Sequence, residues 1–498
     1  PVVVTAAVVL PLGYLVARAL TLPEGALFTS QHASLLLNTV VLLVAVLCVT
    51  TALALPAAWL TTCSNLKGSR LLTVMLVLPL AIPGYVMAFT LRGLGGYEGM
   101  LSELFGQTIG RPRGFWGALA ALSLYNFPYL FLNLRAAMLD MDPSLVEAGR
   151  SLGDSTGKVF GRIVLPQLRP ALLVGALLVA LHVVADFGVV SLMGYKTFSY
   201  ALYNAYDATN LAAASRLGLM LLALAGLFLV AEMWVLRGLR LERAGTGAGR
   251  SASLTRLGRW SLPAYALLLA IFTAGVVVPV VTMLFWMGQS SVNDQLAEVF
   301  GSVVSSLQYS VVPAICATAL AIPIALLRAR YPSRPAYILE RLPFLGYAVP
   351  ALAFALSLIV VAKAYGWLYQ SFWLLVYALS LHFLAEAVGP VRSSLYMARP
   401  GLEEASRSLG RGRWSTFTRI TVPVMRNGLI VAMALVFLSC MKELPLTMLL
   451  APLDTFTLAK QVWSYSEDLQ FAQAAPHGLA IMICSSIFVG LLLRRSEK

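Results

Sequence analysis

Charge is what this chain has least of. Asp, Glu, Lys and Arg together make up 12% of its 498 residues, against 59% apolar ones, a balance that excludes a soluble globular domain. Acids are scarcer still, 22 against 36 Lys and Arg. The resulting +14 would suit nucleic acid, but the basic residues cluster in loops on one side of the expected membrane topology, so no nucleic-acid partner is expected. Cysteine is thin: Cys48, Cys63, Cys316, Cys440 and Cys484 are scattered without a close-spaced pair, which excludes a disulfide framework or a zinc site. Four histidines, His32, His182, His382 and His477, lack metal-site spacing, and no catalytic triad is legible, so an intramembrane enzyme is not expected. The chain also lacks a nucleotide site of its own. GTGAGR, 245–250, follows no strand, and GDSTGKV, 153–159, is one residue short between its glycines and has no Ser or Thr after the Lys.

What the chain has instead is long apolar runs. They place spans near 2–20, 34–60, 70–93, 115–138, 170–194 and 214–236, then 262–287, 303–327, 343–365, 371–396, 427–451 and 473–493. This is an all-α polytopic membrane protein of about twelve helices, six plus six. The chain begins at Pro1 without Met, so residues upstream are expected to be missing, and its first twenty residues are read as a spanning helix, not a signal peptide. Of the 36 Lys and Arg, 27 fall in loops on one side, which makes those loops and both termini cytoplasmic. The halves are 1–236 and 262–498, joined by a Gly-, Ser- and Arg-rich cytoplasmic linker at 237–261.

The halves are related by sequence. EAGRSLGDSTGKVFGRIVLP, 147–166, and EASRSLGRGRWSTFTRITVP, 404–423, share ten of twenty positions without a gap, at a constant offset of 257. Both carry Glu-Ala (Glu147, Ala148; Glu404, Ala405), a Gly six positions after the Glu (Gly153, Gly410), and a closing Ile and Pro (Ile163, Pro166; Ile420, Pro423). Glu147 to Leu152 and Glu404 to Leu409 suit a short helix with an acid at its positive end, started by Pro143 or Pro400 and ended by a Gly that lets the chain turn. The pattern resembles the EAA signature of ATP-binding-cassette importer permeases. That resemblance implies that the loops at 143–166 and 400–423 dock a cytoplasmic ATPase. Leu78–Phe89 faces Phe344–Phe354 at the larger offset of 267, so the periplasmic loop between the third and fourth helices is about ten residues longer in the first half, an asymmetry suited to an asymmetric partner.

Just beyond each signature loop, Asp186 aligns with Glu443, two carboxylates at equivalent depths, with His182 one turn before Asp186. Gly188 and Pro445 follow at the same aligned position and can break the helix, as helices often are where solutes move. Intramembrane carboxylates are costly unless paired, hydrated or bound to a cation. Asp186 and Glu443 are therefore candidates to meet a hard cation transiently. Alternatively they cap broken helices or pair with Lys442. Tyr125, Asn126, His382 and Glu386 on the fourth helices either extend a polar path or hydrogen-bond between helices. Tyr200, Tyr203, Tyr206 and Asp207, with Tyr465, Glu467 and Asp468, are read as periplasmic loops that meet a binding protein, act as a gate or form an aromatic belt.

Ala185–Tyr206 and Lys442–Leu450 are similar to the corresponding stretches of fused iron(III) importer permeases. The resemblance implies an inner-membrane transport subunit, not an enzyme, that binds no cofactor. Its implied partners are two copies of an ATPase, which carry ATP and Mg, a periplasmic solute-binding protein, and lipid. ATPase closure would pull the two coupling helices together and switch access. A fused permease for thiamine or another organic cation is the alternative within the class. A proton-coupled secondary transporter is the alternative outside it, but leaves the duplicated loops without a task.

Overall fold

The computed structural model describes residues 2–21, 30–238, 255–289, 292–397 and 400–496. Residues 239–254, most of the expected linker, lie outside these, as do Arg399 and Lys498. Among the described residues, regular structure is helical apart from two isolated β-bridges, Ser64 with Thr255 and Gly96 with Ile109. Seven helices are long and apolar enough to cross a membrane, and three bent pairs bring the number to ten. Two shorter apolar helices, Val2–Gly13 and Ala212–Phe228, occupy the remaining expected spans.

Several expected spans are broken, and proline explains two of the breaks. Ser69–Ala81 and Gly84–Leu94 meet at 91°, and Arg334–Ala348 and Ala351–Lys363 at 99°. Pro83 and Pro350 sit at these corners. A proline lacks an N–H and drives the preceding residue into an extended conformation; Ile82 accordingly has φ −95° and ψ 116°. The fifth spans break as well, Leu165–Ala185 giving way to Gly188–Met193, and Val422–Lys442 to Pro445–Leu450. In the second half the fourth span also bends, by 53° between Phe372–His382 and Leu384–Tyr396, whereas Gly114–Leu139 stays continuous over Pro128.

A different effect of proline widens three helices. Phe160–Val164, Thr273–Val277 and Phe417–Thr421 are π-turns, and each is followed two residues later by a proline, Pro166, Pro279 or Pro423. The ring would press on the carbonyl four residues earlier in a regular helix. Loosening the turn before it relieves that contact. The closing Pro of both signature loops thus has a local structural task.

Packing and sequence repeat divide the chain differently. One compact unit comprises the described parts of Pro1–Thr29, Ser199–Ala223 and Met287–Lys498; the other comprises Ser30–Phe198 and the described part of Leu224–Trp286. In the first unit, Val2–Thr21 packs on Arg334–Ala348 and Ala351–Ala364, and the Tyr377 hydroxyl donates to the Ala7 carbonyl at 3.1 Å. In the second, Ser261–Phe272 packs on Ser69–Val77, and a Cβ on Gly275 would come within 3.0 Å of Pro79. Each half therefore lends its first span to the unit built on the other half. Within each unit the fourth and fifth spans approach through glycine, as apolar surroundings favour. A Cβ on Gly175 would lie 2.6 Å from Leu130 Cδ1, and one on Gly428 2.4 Å from Ser394 Oγ and 2.6 Å from the Pro390 carbonyl.

Candidate functional site

The first signature loop opens with a helix over Pro143–Ser151 and the second with one over Pro400–Ser408. Pro143 stands at the first helical position, and Asp142 caps it, its side chain accepting the Ser144 N–H at 2.9 Å. Hydrogen bonds from the Ser144 backbone N–H and side-chain hydroxyl to this exposed carboxylate favour its charged form and hold Asp142 below its ordinary pKa. Because each helix begins four residues before the signature Glu, Glu147 and Glu404 stand in the second turn, not at the positive end expected from the sequence. Both are exposed, as are Ala148 and Ala405.

The glycines end the helices as expected. Gly153 has φ 85° and Gly410 φ 78°, a region that glycine enters without penalty. Asp154 N–H returns to the Gly149 carbonyl at 3.2 Å and Gly153 N–H to Arg150 at 3.0 Å; Arg411 N–H returns to Ser406 at 3.2 Å and Gly410 N–H to Arg407 at 2.9 Å. Those are matching Schellman caps in both halves. They leave Leu152 86% and Leu409 83% exposed, with Leu145 and Leu402 also half open to solvent. Sequence reasoning passed over these four leucines, although their spacing of 257 was a signal: two pairs of apolar residues in otherwise polar loops.

Each signature-loop helix is seated on the start of the fifth span by a different chemistry. A Cβ on Gly149 would come within 2.7 Å of Ile163 and 3.3 Å of Val159, so Ile163 packs beneath the first helix. At the equivalent positions of the second half, Ser406 and Thr416 share a buried hydrogen bond of 3.0 Å. Arg330 donates to Glu403 at 2.8 Å, and Thr421 donates to the same oxygen at 3.2 Å. Ile420 lies in the π-turn Phe417–Thr421, and Pro166 and Pro423 sit just past theirs.

The two acids of the fifth spans occupy identical places. Asp186 accepts the Val189 N–H at 2.9 Å and Glu443 accepts the Leu446 N–H at 3.1 Å, so both cap the short helix beyond the break. In one unit the corner at Pro83 closes on this cap, since a Cβ on Gly84 would meet Tyr125 and Val189 at 3.0 Å and Asp186 Oδ2 at 3.2 Å. His182 lies one turn away, its Nδ1 2.8 Å from the Leu178 carbonyl and its ring stacked on Tyr129 at 4.6 Å. In the other unit the positions equivalent to Tyr129 and His182 hold Glu386 and Ser439, and Ser439 donates to Glu386 at 2.8 Å. The same two positions therefore touch in both halves, with an aromatic stack in one and a carboxylate bond in the other. Lys442 lies within electrostatic reach of Glu386. His382 is buried among Tyr347, Phe354 and Phe383, with ring separations of 6.2, 5.6 and 4.9 Å.

Among the described residues no group of three or more His, Cys, Asp or Glu side chains is placed to hold a metal ion. Tyr203 packs edge-on to Trp463 at 5.8 Å, and Tyr465 and Gln461 both donate to Glu298, at 2.6 and 2.5 Å.

Broken helices with carboxylate caps, repeated at one offset alongside duplicated signature loops, define a two-half membrane permease. The chain belongs to the family described as binding-protein-dependent transport system inner membrane component, whose model matches residues 50–238 and again 321–498. It is 33% identical to the Fe(3+)-transport system permease protein FbpB 2 of Haemophilus influenzae, over 98% of this chain and 96% of that protein. The ferric transport system permease protein FbpB of Actinobacillus pleuropneumoniae is 24% identical over 82% of this chain and 63% of its own length. The molybdenum transport system permease protein ModB of Escherichia coli strain K12 is 32% identical over 197 residues, 38% of this chain and 86% of itself, a match the size of one half.

Proposed function

We propose that this chain is the fused membrane subunit of an ATP-driven ferric iron importer of a bacterial inner membrane, with both termini cytoplasmic. The observation that carries the cargo is the near end-to-end similarity to a relative named for Fe(3+) transport. Carboxylates at both fifth-span breaks support it, because hard oxygen donors suit a hard cation and repel oxyanions such as sulfate or molybdate. Two copies of a cytoplasmic ATPase dock, one on Pro143–Ser151 and one on Pro400–Ser408, each receiving the exposed leucines of its helix. A periplasmic binding protein delivers iron to the opposite face.

ATP-driven closure of the ATPase dimer draws the two coupling helices together. The Schellman caps and the packing of each helix on the start of a fifth span transmit that displacement to the breaks at Asp186 and Glu443. Opening the path outward there exposes two caps whose negative charge meets the cargo. Because the caps bind backbone N–H groups with one oxygen, the acids keep their position as cargo passes.

The test is radiolabelled iron(III) uptake into proteoliposomes holding the chain and its ATPase, with binding protein outside and ATP inside. Uptake that requires all three components and is unaffected by excess thiamine supports the reading. Thiamine uptake without iron uptake, in a preparation whose ATPase answers to the binding protein, overturns the cargo while keeping the importer.

A further inference from the structure

The two coupling helices are equivalent in sequence but not in how they are held. Arg150 and Arg407 occupy the same position of the repeat. Arg407 is exposed, whereas Arg150 is half-buried and donates through Nη2 to the Thr255 hydroxyl at 2.7 Å. Thr255 is 105 residues away in sequence, at the end of the connector between the halves.

That end of the connector is fixed to the loop after the second span. Thr255 N–H donates to the Cys63 carbonyl at 2.9 Å, and the Thr255 carbonyl accepts the Asn65 N–H at 3.1 Å, forming a parallel bridge with Ser64. Leu257 N–H donates to Asn65 Oδ1 at 3.0 Å, and the Tyr265 hydroxyl to the Lys67 carbonyl at 2.9 Å. Ser64, beneath the bridge, is 4% exposed and donates to the Leu60 carbonyl at 2.6 Å.

In the second half the end of the corresponding helix, Val292–Arg330, needs no intermediary. Its last residue, Arg330, reaches the coupling helix directly through Glu403. The first half has Val146 where the second has Glu403, so no such ion pair is open to it.

We infer that Thr255 is a positioning residue, and that the segment Thr255–Leu257 straps the first coupling helix to the loop after the second span, doing for that half what the Arg330–Glu403 pair does for the other. The connector is then part of the coupling apparatus of one half alone, not a passive tether. The inference takes the coupling role of these helices from the proposed function. Its structural content, one strap per helix with different chemistry, does not depend on it.

The test is amide hydrogen exchange of the full chain in lipid nanodiscs, without ATPase, comparing peptides from 143–154 and 400–411. Loss of a hydrogen bond to a charged group loosens a local opening equilibrium by roughly tenfold. Thr255→Val should therefore speed exchange about tenfold in 143–154 and leave 400–411 unchanged, and Thr255→Ser should restore the wild-type rate. Glu403→Gln should do the reverse, loosening only 400–411. If Thr255→Val inserts poorly, Arg150→Ala removes the same bond from its other end and should give the same one-sided change. Equal exchange in wild type, Thr255→Val and Arg150→Ala, or loosening of both helices by Thr255→Val, overturns the strap. In proteoliposomes with the ATPase, Thr255→Val should lower uptake per ATP hydrolysed. If the wild type recruits no ATPase while the one-sided exchange persists, the coupling reading fails and the strap stands.

Discussion

Replacing Gly153 and Gly410 by alanine isolates the backbone cost of ending the coupling helices. A Cβ at either position would meet nothing within 4 Å, so no clash contributes. What remains is the left-handed conformation, at φ 85° and 78°, which costs a non-glycine residue about 1–2 kcal/mol. Taking about 1 kcal/mol, each substitution should raise the population of frayed helix roughly fivefold. The two positions sit in separate loops, so a double variant should show both effects independently. Asparagine, which enters this region more readily, should restore part of the loss, and valine should worsen it. Limited trypsin digestion reads the frayed population when opening is fast relative to cleavage. Fragments ending at Arg150 report the first loop and those ending at Arg407 or Arg411 the second. Cleavage of Gly153→Ala should rise about fivefold in the first loop only. An alanine variant cleaved at the wild-type rate, or an asparagine variant no better than valine, would refute the backbone explanation.

Other consequences can be checked alongside. Leu152→Asp with Leu409→Asp should abolish ATPase recruitment while leaving membrane insertion intact, as judged by co-purification and membrane yield. Gly428→Val should lower the thermal stability of the permease, because its side chain would enter the space of Ser394 Oγ and the Pro390 carbonyl; Gly157→Val, whose Cβ meets nothing, is the matched control. The Asp142 cap holds its carboxyl below the ordinary value, so its contribution is present above the unfolded pKa and is lost as pH falls through the lowered folded one. Exchange of the Ser144 amide should accelerate over that acid range in wild type, and Asp142→Asn should remove the pH dependence.

The repeat and its signature loops were legible because two gap-free copies at one offset need no structure to be recognised. The breaks beside Asp186 and Glu443 were legible too, through Gly188 and Pro445. Hydropathy reports that a segment spans but not which neighbour it joins, so the exchange of first spans, with Tyr377 bonded to Ala7, was hidden. The corners at Pro83 and Pro350 were visible as prolines, yet a proline in an apolar run can be tolerated, as Pro128 is in Gly114–Leu139. The signature Glu was placed at a helix start because acids favour that end. The structure moves it to the second turn, since Pro143 and Asp142 had already supplied a start and a cap. Thr255 gave no sign at all, because its role is a single bond across 105 residues made by a residue type common in any linker.

In the proposed function, the charge of two caps at equivalent positions of the sequence repeat serves the cargo. Asp186→Asn with Glu443→Gln tests it most directly, because each amide keeps an oxygen able to accept the N–H of Val189 or Leu446 while losing the negative charge. Measured as ATP-dependent iron(III) uptake beside binding-protein-stimulated ATP hydrolysis, the double variant is predicted to hydrolyse ATP normally and import little iron. Iron uptake at the wild-type rate would contradict the claim and leave both acids as helix caps alone.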